Sequence, residues 1–142
     1  MKYLAHRDQE SEREQSLIDH LEKTAELAGQ YAEAFGAYQW GYCAGLLHDI
    51  GKYSQEFQRR IRGSEEQVDH ATAGAQLCHE KKGYYSLLSY CIAGHHAGLA
   101  DTGTRNDRSN MPTLYGRLKK QIPDYNAYKG EIQIPQLMEL PL

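Results

Sequence analysis

The stretch CAGLLHDIGKYS, residues 43–54, limits what this chain can become more than any other part of it. An uninterrupted small and apolar turn runs straight into two ionisable side chains, His48 and Asp49. Trp40, Ala44, Leu47 and His48 fall on one stripe of a helix predicted over residues 38–49, with Gly51 releasing the chain after it. A charge that follows a buried face must either surface into water or find a partner inside the protein. The helix therefore meets solvent at His48, or the pair holds a metal ion.

The rest of the sequence supplies more helices of the same kind. Leu17, Leu21, Thr24, Ala28, Tyr31 and Phe35 recur at spacings of three and four and predict a first helix stopping at Gly36, with His20 on the edge of its apolar face. A short helix is predicted over residues 54–62, its basic end Arg59, Arg60 and Arg62 suited to the helix dipole. VDHATAGAQLCHEKKG reads as a helix capped by Asp69, with His70 near its first turn and Gly83 at its end. YYSLLSYCIAGHHAG reads as another, with Leu88, Cys91, Ile92, His95 and His96 down one side. No strand, repeat or low-complexity tract is predicted, so the fold class is all-α, a helical bundle.

After Gly98 the character changes. Residues 101–142 read as a polar loop containing Arg105 and Arg108, a short basic helix in LYGRLKKQI, and a linker-like tail with three of the four prolines. The expected organisation is a core over residues 1–100 and an incomplete remainder of the same domain over residues 101–142. A formal net charge of −3 argues against coating duplex DNA by bulk charge, while leaving room for a local basic groove. Cys43, Cys78 and Cys91 form no C-x-x-C pair and read as buried free thiols of a reducing compartment. With no membrane-length apolar run and no signal-peptide pattern, a cytoplasmic location is expected.

The histidines give the chain its chemistry. In order they are His20, His48 with Asp49, His70, and His95 with His96, each at a predicted helix end or inner face. By itself His20 reads as a packing or capping residue, and His70 as a first-turn residue. Five histidines and one aspartate in this order are far harder to attribute to accident. They are nitrogen and oxygen ligands suited to Mn, Fe, Co, Ni or Zn, whereas Mg and Ca prefer oxygen. Lys52, three residues after Asp49, is placed either to reach a phosphate or to sit solvated at the turn. His6 and His79 lack comparable context, and Asp101 and Asp107 read as turn residues.

LLHDIGK resembles the signature of the HD superfamily of metal-dependent phosphohydrolases. YLAHRD, the helix LIDHLEKTAELAGQYAEAFG, HDIGKYSQEFQRRIRG, VDHATAGA and GHHAGLAD, in that order, resemble the HD nuclease domain of the CRISPR-associated helicase-nuclease of type I interference systems. The resemblance implies an HD-domain-like helical bundle with one or two transition-metal ions (Mn, Fe, Co or Ni, with Mg less suited) in its core. It implies that His20, His48 and Asp49 bind one ion and that His70, His95 and His96 bind the second, with the Asp49 carboxylate between them. His48, Asp49 and Lys52 would carry catalysis, Lys52 near the phosphate. The implied activity is cleavage of single-stranded DNA in antiviral defence. The implied partners are that DNA, a helicase domain on the same or a partner chain, and the CRISPR surveillance complex.

One feature departs from that family. It has a further aspartate on a helix well beyond the paired histidines, and here Asp124 follows a proline in the tail instead. The expectation is that the chain is the N-terminal part of a longer protein. Paired cations can lower the pKa of a bridging water and supply hydroxide, so no protein nucleophile is required. Arg59, Arg60, Arg62, Arg105 and Arg108 are candidates to track a nucleic-acid backbone, with tyrosines as stacking faces. The alternatives are an HD phosphohydrolase acting on nucleotides and a degenerate HD domain that only binds.

Overall fold

The computed structural model describes residues 2–8, 10, 13–93, 103–111 and 113–137. The chain is mostly helical, as the apolar periodicity predicts. Its elements are β1 (Leu4–Arg7), β2 (Glu14–Ser16), α1 (Leu17–Glu33), α2 (Tyr38–Leu47), a 3-10 turn (Ile50–Tyr53), α3 (Gln55–Ile61), α4 (Thr72–Lys81), α5 (Tyr85–Ala93), α6 (Leu114–Leu118) and a second 3-10 turn (Asn126–Gly130). No helix among the described residues is long and apolar enough to cross a membrane.

α1 starts where Ser16 accepts a hydrogen bond from the Asp19 amide at 3.3 Å, a side-chain cap for an otherwise orphaned donor. Its buried residues are Leu17, Leu21, Ala25 and Gly29, a stripe repeating every four residues. The predicted stripe continued instead through Tyr31 and Phe35, which are 72% and 77% exposed. Close packing explains the difference. A Cβ added to Gly45 of α2 would lie 2.7 Å from the Ala25 Cα and 2.8 Å from the Thr24 carbonyl oxygen. Backbones this close require small residues, so the contact face selects Ala25 and Gly29 over the bulkier neighbours.

α2 ends at Leu47, and the chain leaves helical geometry at Asp49, with φ −117° and ψ 25°. The break precedes Gly51, which does not release the chain as predicted. Gly51 lies within the buried 3-10 turn, where a Cβ would come within 2.4 Å of the His70 carbonyl oxygen. Glycine therefore lets the strand of chain before α4 lie directly on the turn that carries Lys52.

A two-stranded antiparallel ribbon, β1 with β2, was not predicted. Its strands are four and three residues long and mostly polar, too short for alternation to show. Gln58, 1% exposed, fixes the ribbon to α3. It accepts from the Leu4 amide at 2.9 Å and donates to the Leu4 and Lys52 carbonyls at 2.9 and 2.8 Å. Arg62 completes the joint by donating to Gln58 Oε1 at 2.8 Å and to the Lys2 carbonyl at 2.7 Å.

The C-terminal stretch packs against the bundle. Tyr128, Ile132 and Leu137 are buried in the same core as Leu17, Leu47 and Ile92. Tyr53 donates to Glu131 at 2.8 Å, and Tyr85 donates to the Pro135 carbonyl. Prolines and the lack of a helical period gave this segment its linker-like look, yet an extended segment needs only occasional apolar residues to dock. Two of the three thiols are buried as predicted. Burial pushes Cys43 up to about 11 and Cys78 up to about 12, which keeps both protonated. Cys91 is exposed, because it faces away from the side of α5 that buries Leu88, Ser89 and Ile92.

The cap position of α4 is Ala71, which has no side-chain cap bond, and the predicted cap Asp69 bonds the helix start from two residues further back. Its carboxylate accepts from the Ala71 and Thr72 amides, each at 3.0 Å, and from the Thr72 hydroxyl at 2.7 Å. Lys120 reaches it at 2.6 Å and so ties α4 to the chain after α6. Burial works against the charge, but the bonds from Lys120 and Thr72 outweigh it and hold the carboxyl down at about 2. The folded value is below the unfolded one of about 3.9, so this contribution is complete above that value and is lost as pH falls through 2. Asp69→Ala should lower unfolding free energy by about 1 kcal/mol at pH 6, and the gap from wild type in urea melts should close as pH approaches 2. An equal gap at both pH values would contradict the assignment.

Candidate metal centre

Three side chains from two helices and the break after α2 meet in one place. His20 comes from the first turn of α1, as its fourth residue, His48 from the C-terminal cap of α2, and Asp49 from the residue that breaks the helix. Their ligand atoms all lie within 4.8 Å of one another. His20 Nε2 is 3.3 Å and His48 Nε2 is 3.1 Å from Asp49 Oδ2. The two imidazole centroids are 5.5 Å apart.

A backbone contact decides what His48 can do. Its Nδ1 lies 2.6 Å from the Gly45 carbonyl oxygen, which can only accept, so Nδ1 carries a proton. In neutral imidazole the other nitrogen, Nε2, then bears a lone pair. That lone pair points at a carboxylate oxygen, also a lone-pair group, 3.1 Å away. Two lone-pair groups this close need a shared proton or a cation between them. Nδ1 bonded to a backbone carbonyl with Nε2 directed inward is the usual orientation of a metal-bound histidine. The donor set, two imidazoles and one carboxylate, therefore fits a divalent transition metal.

Lys52 lies on the other side of Asp49. Its Nζ is 3.3 Å from Asp49 Oδ2 and 3.4 Å from the Ala5 carbonyl oxygen, and it sits 5.4 Å from the centroid of the Phe57 ring. At 6% exposed, this is a buried ammonium held by a carboxylate and a strand carbonyl, and the solvated-turn alternative is set aside.

The remaining predicted site residues divide. His70 is not part of the three-residue cluster. It packs edge-on against Phe57, with centroids 4.9 Å apart, and lines a cleft of about 370 Å³ together with Lys52. His95, His96 and Asp101 lie outside the described residues. Asp124 bonds the Asn126 amide at 2.8 Å, and Asp107 accepts from Thr104 and Thr113, so neither joins the cluster. Among the arginines, Arg60 lines the same cleft as Lys52. Arg62 is engaged in holding the ribbon, and Arg59 pairs with Glu56 and Glu66 at 3.8 and 3.7 Å. Arg105 lines a separate cavity of about 690 Å³ with His79 and Tyr115, which includes none of the cluster residues, and Arg108 is exposed.

His6, read from the sequence as structural or exposed, lies beside the cluster. It stands edge-on to His20 with ring centroids 5.1 Å apart, and it lines the cleft beside Lys52. Burial, then Lys52 and His20, push its pKa down, with Asp49 opposing. The only signal in the sequence was its place in YLAHRD, since a four-residue strand is too short to show periodicity.

Metal content supplies the test of the centre. Purified protein dialysed against Mn2+ should retain the ion, whereas His48→Ala and Asp49→Ala should lose it by at least tenfold in affinity, measured by elemental analysis and calorimetry. Retention of wild-type affinity by Asp49→Ala would show that the ion is held elsewhere.

Comparison with known families places the fold. The family model described as HD domain matches residues 17–127, which contain His20, His48, Asp49, Lys52 and His70. No curated protein matches the sequence.

Proposed function

The chain belongs to the HD-domain family, whose members are generally metal-dependent phosphohydrolases, and on that premise we propose that it hydrolyses phosphodiester bonds of single-stranded DNA. The observation that carries the hydrolytic reading is the convergence of His20 Nε2, His48 Nε2 and Lys52 Nζ on one oxygen of Asp49. A divalent ion bound there supplies Lewis-acid charge to the phosphate and a water of lowered pKa.

The chain's own residues account for the rest. The Gly45 carbonyl fixes the tautomer and angle of His48. Asp49 joins the ligand set to Lys52, so the ammonium beside it would be available to donate to a non-bridging oxygen of a bound phosphate. Phe57 and the Ala5 carbonyl keep that ammonium from swinging into solvent. The cleft beyond Lys52, lined by His6, Arg7, Arg60 and His70, gives an anionic chain a path to the centre.

A nucleic-acid strand is favoured over a free nucleotide by the order of motifs from YLAHRD to GHHAGLAD, which resembles the nuclease domain of CRISPR helicase-nucleases. On this reading a helicase domain, on the same or a partner chain, delivers the strand, and the surveillance complex directs it. A second ion would draw on His70, with His95 and His96. The size of the cleft, about 370 Å³, favours one alternative, an HD phosphohydrolase acting on a single nucleotide.

Circular single-stranded DNA incubated with the protein and Mn2+, Co2+ or Ni2+ should be cut, and EDTA should stop the reaction. His48→Ala and Asp49→Ala should lower the rate by at least 10²-fold, and Lys52→Ala by about 10- to 100-fold. Intact circles together with metal-dependent release of phosphate from nucleotides would transfer the assignment to the alternative.

A further inference from the structure

The ribbon contains an irregularity that the hydrolytic centre by itself does not explain. Leu4 pairs with Ser16 and His6 pairs with Gln15, so two steps along β1 match one step along β2. Ala5 is therefore the extra residue of a β-bulge. A bulge leaves its extra residue out of the ladder and turns the side chain that follows. Both consequences bear on the centre. The Ala5 carbonyl accepts from Lys52 Nζ, and His6 is turned edge-on to His20.

The bulge is held firmly in place. Gln58 bonds both polar groups of the Leu4 backbone, one residue before it, and Arg62 holds Lys2. The cleft between this bulge and α3 is lined by His6, Arg7, Lys52, Arg60 and His70 together with the apolar Ala5, Phe57 and Ile61, and no Asp or Glu among the described residues lines it. Arg60 uses one guanidinium nitrogen to donate to the Ser64 carbonyl at 3.2 Å, leaving further donors over the cleft. Arg7 Nε is buried without a hydrogen bond, its nearest carboxylate, Glu14, being 3.9 Å away. The cleft thus gathers donors, with Glu14 beside Arg7 and Asp49 beside Lys52 as neighbouring carboxylates outside its lining, and adjoins the cluster through Lys52 and His6.

We propose that this cleft seats a phosphate of single-stranded nucleic acid next to the one hydrolysed, with His6 and Arg60 as its binding residues. The proposal rests on the phosphodiesterase reading for its ligand class. His6 lines the cleft next to His20 of the cluster, and Arg60 lines it from α3 with a guanidinium fork suited to phosphate oxygens. The bulge exists, on this account, to bring a short strand's histidine to the ligand, which a regular strand in this register would direct elsewhere.

The test is binding rather than turnover. Fluorescein-labelled oligothymidylate is titrated with the full chain in EDTA, so a failure of the hydrolytic reading does not affect the readout. His6→Ala and Arg60→Ala should each weaken binding about tenfold, the loss of one charge-assisted hydrogen bond. Arg60→Ala should also reduce the slope of log affinity against log salt by about 0.7, while His6→Gln, which keeps a donor, should recover part of the loss. Circular dichroism and thermal melts establish that each variant is folded. Wild-type affinity in both folded alanine variants, or no binding by wild type at millimolar protein, overturns the proposal. Loss of Mn2+ from His6→Ala would assign His6 to the ion's ligand set and overturn it as well.

Discussion

Asp49 Oδ2 receives three nitrogens, two imidazole Nε2 atoms and one ammonium, within 3.1 to 3.3 Å. A carboxylate 6% exposed is costly to bury alone, and much of the architecture serves to bring these groups to it. α1 and α2 approach closely enough for Gly45 to touch the Ala25 backbone, and this brings His20 opposite His48. The helix breaks at Asp49, so the carboxylate leaves the stripe of Leu46 and Leu47 and turns toward His20. The 3-10 turn then returns Lys52 to the same oxygen.

A second layer of the structure holds that turn. Gln58 donates to the Lys52 carbonyl from the same amide group that bonds Leu4, so the ribbon and the turn are tied through one side chain. Gly51 lets the chain at His70 lie on the turn from the opposite side. From the third side, Tyr53 is bonded by Glu131 of the C-terminal stretch. Gln58, His70 and Glu131, distant in sequence from one another, thereby all bear on four residues, Ile50 to Tyr53. Such over-determination suits a site in which a lysine and a carboxylate must remain in register.

The helices and the His20, His48 and Asp49 cluster were legible in the sequence because each leaves a periodic or local mark. Leu17 and Leu21 are four apart, Asp69 marks the approach to α4, and His48 with Asp49 follows directly on the apolar AGLL. What could not be read depends on contacts distant in sequence. Nothing near Ala5 announces a bulge, since the bulge is defined by β2 and supported by Gln58, 54 residues from Leu4. Tyr31 and Phe35 looked buried because hydropathy cannot register that α2 selects small residues on its partner. Gly51 looked like a release point because a glycine needed for close approach and one needed for a turn have the same letter. The tail looked like a linker because Tyr128, Ile132 and Leu137 have no common period.

Anomalous diffraction from crystals grown with Mn2+ addresses the central claim most directly, because it locates the ion without reference to activity. The account predicts a peak within about 2.0–2.3 Å of His20 Nε2, His48 Nε2 and an Asp49 carboxylate oxygen, with His48 Nδ1 still donating to the Gly45 carbonyl. A peak away from these three atoms, or none there with the Asp49 oxygen still in contact with both imidazoles, would contradict it.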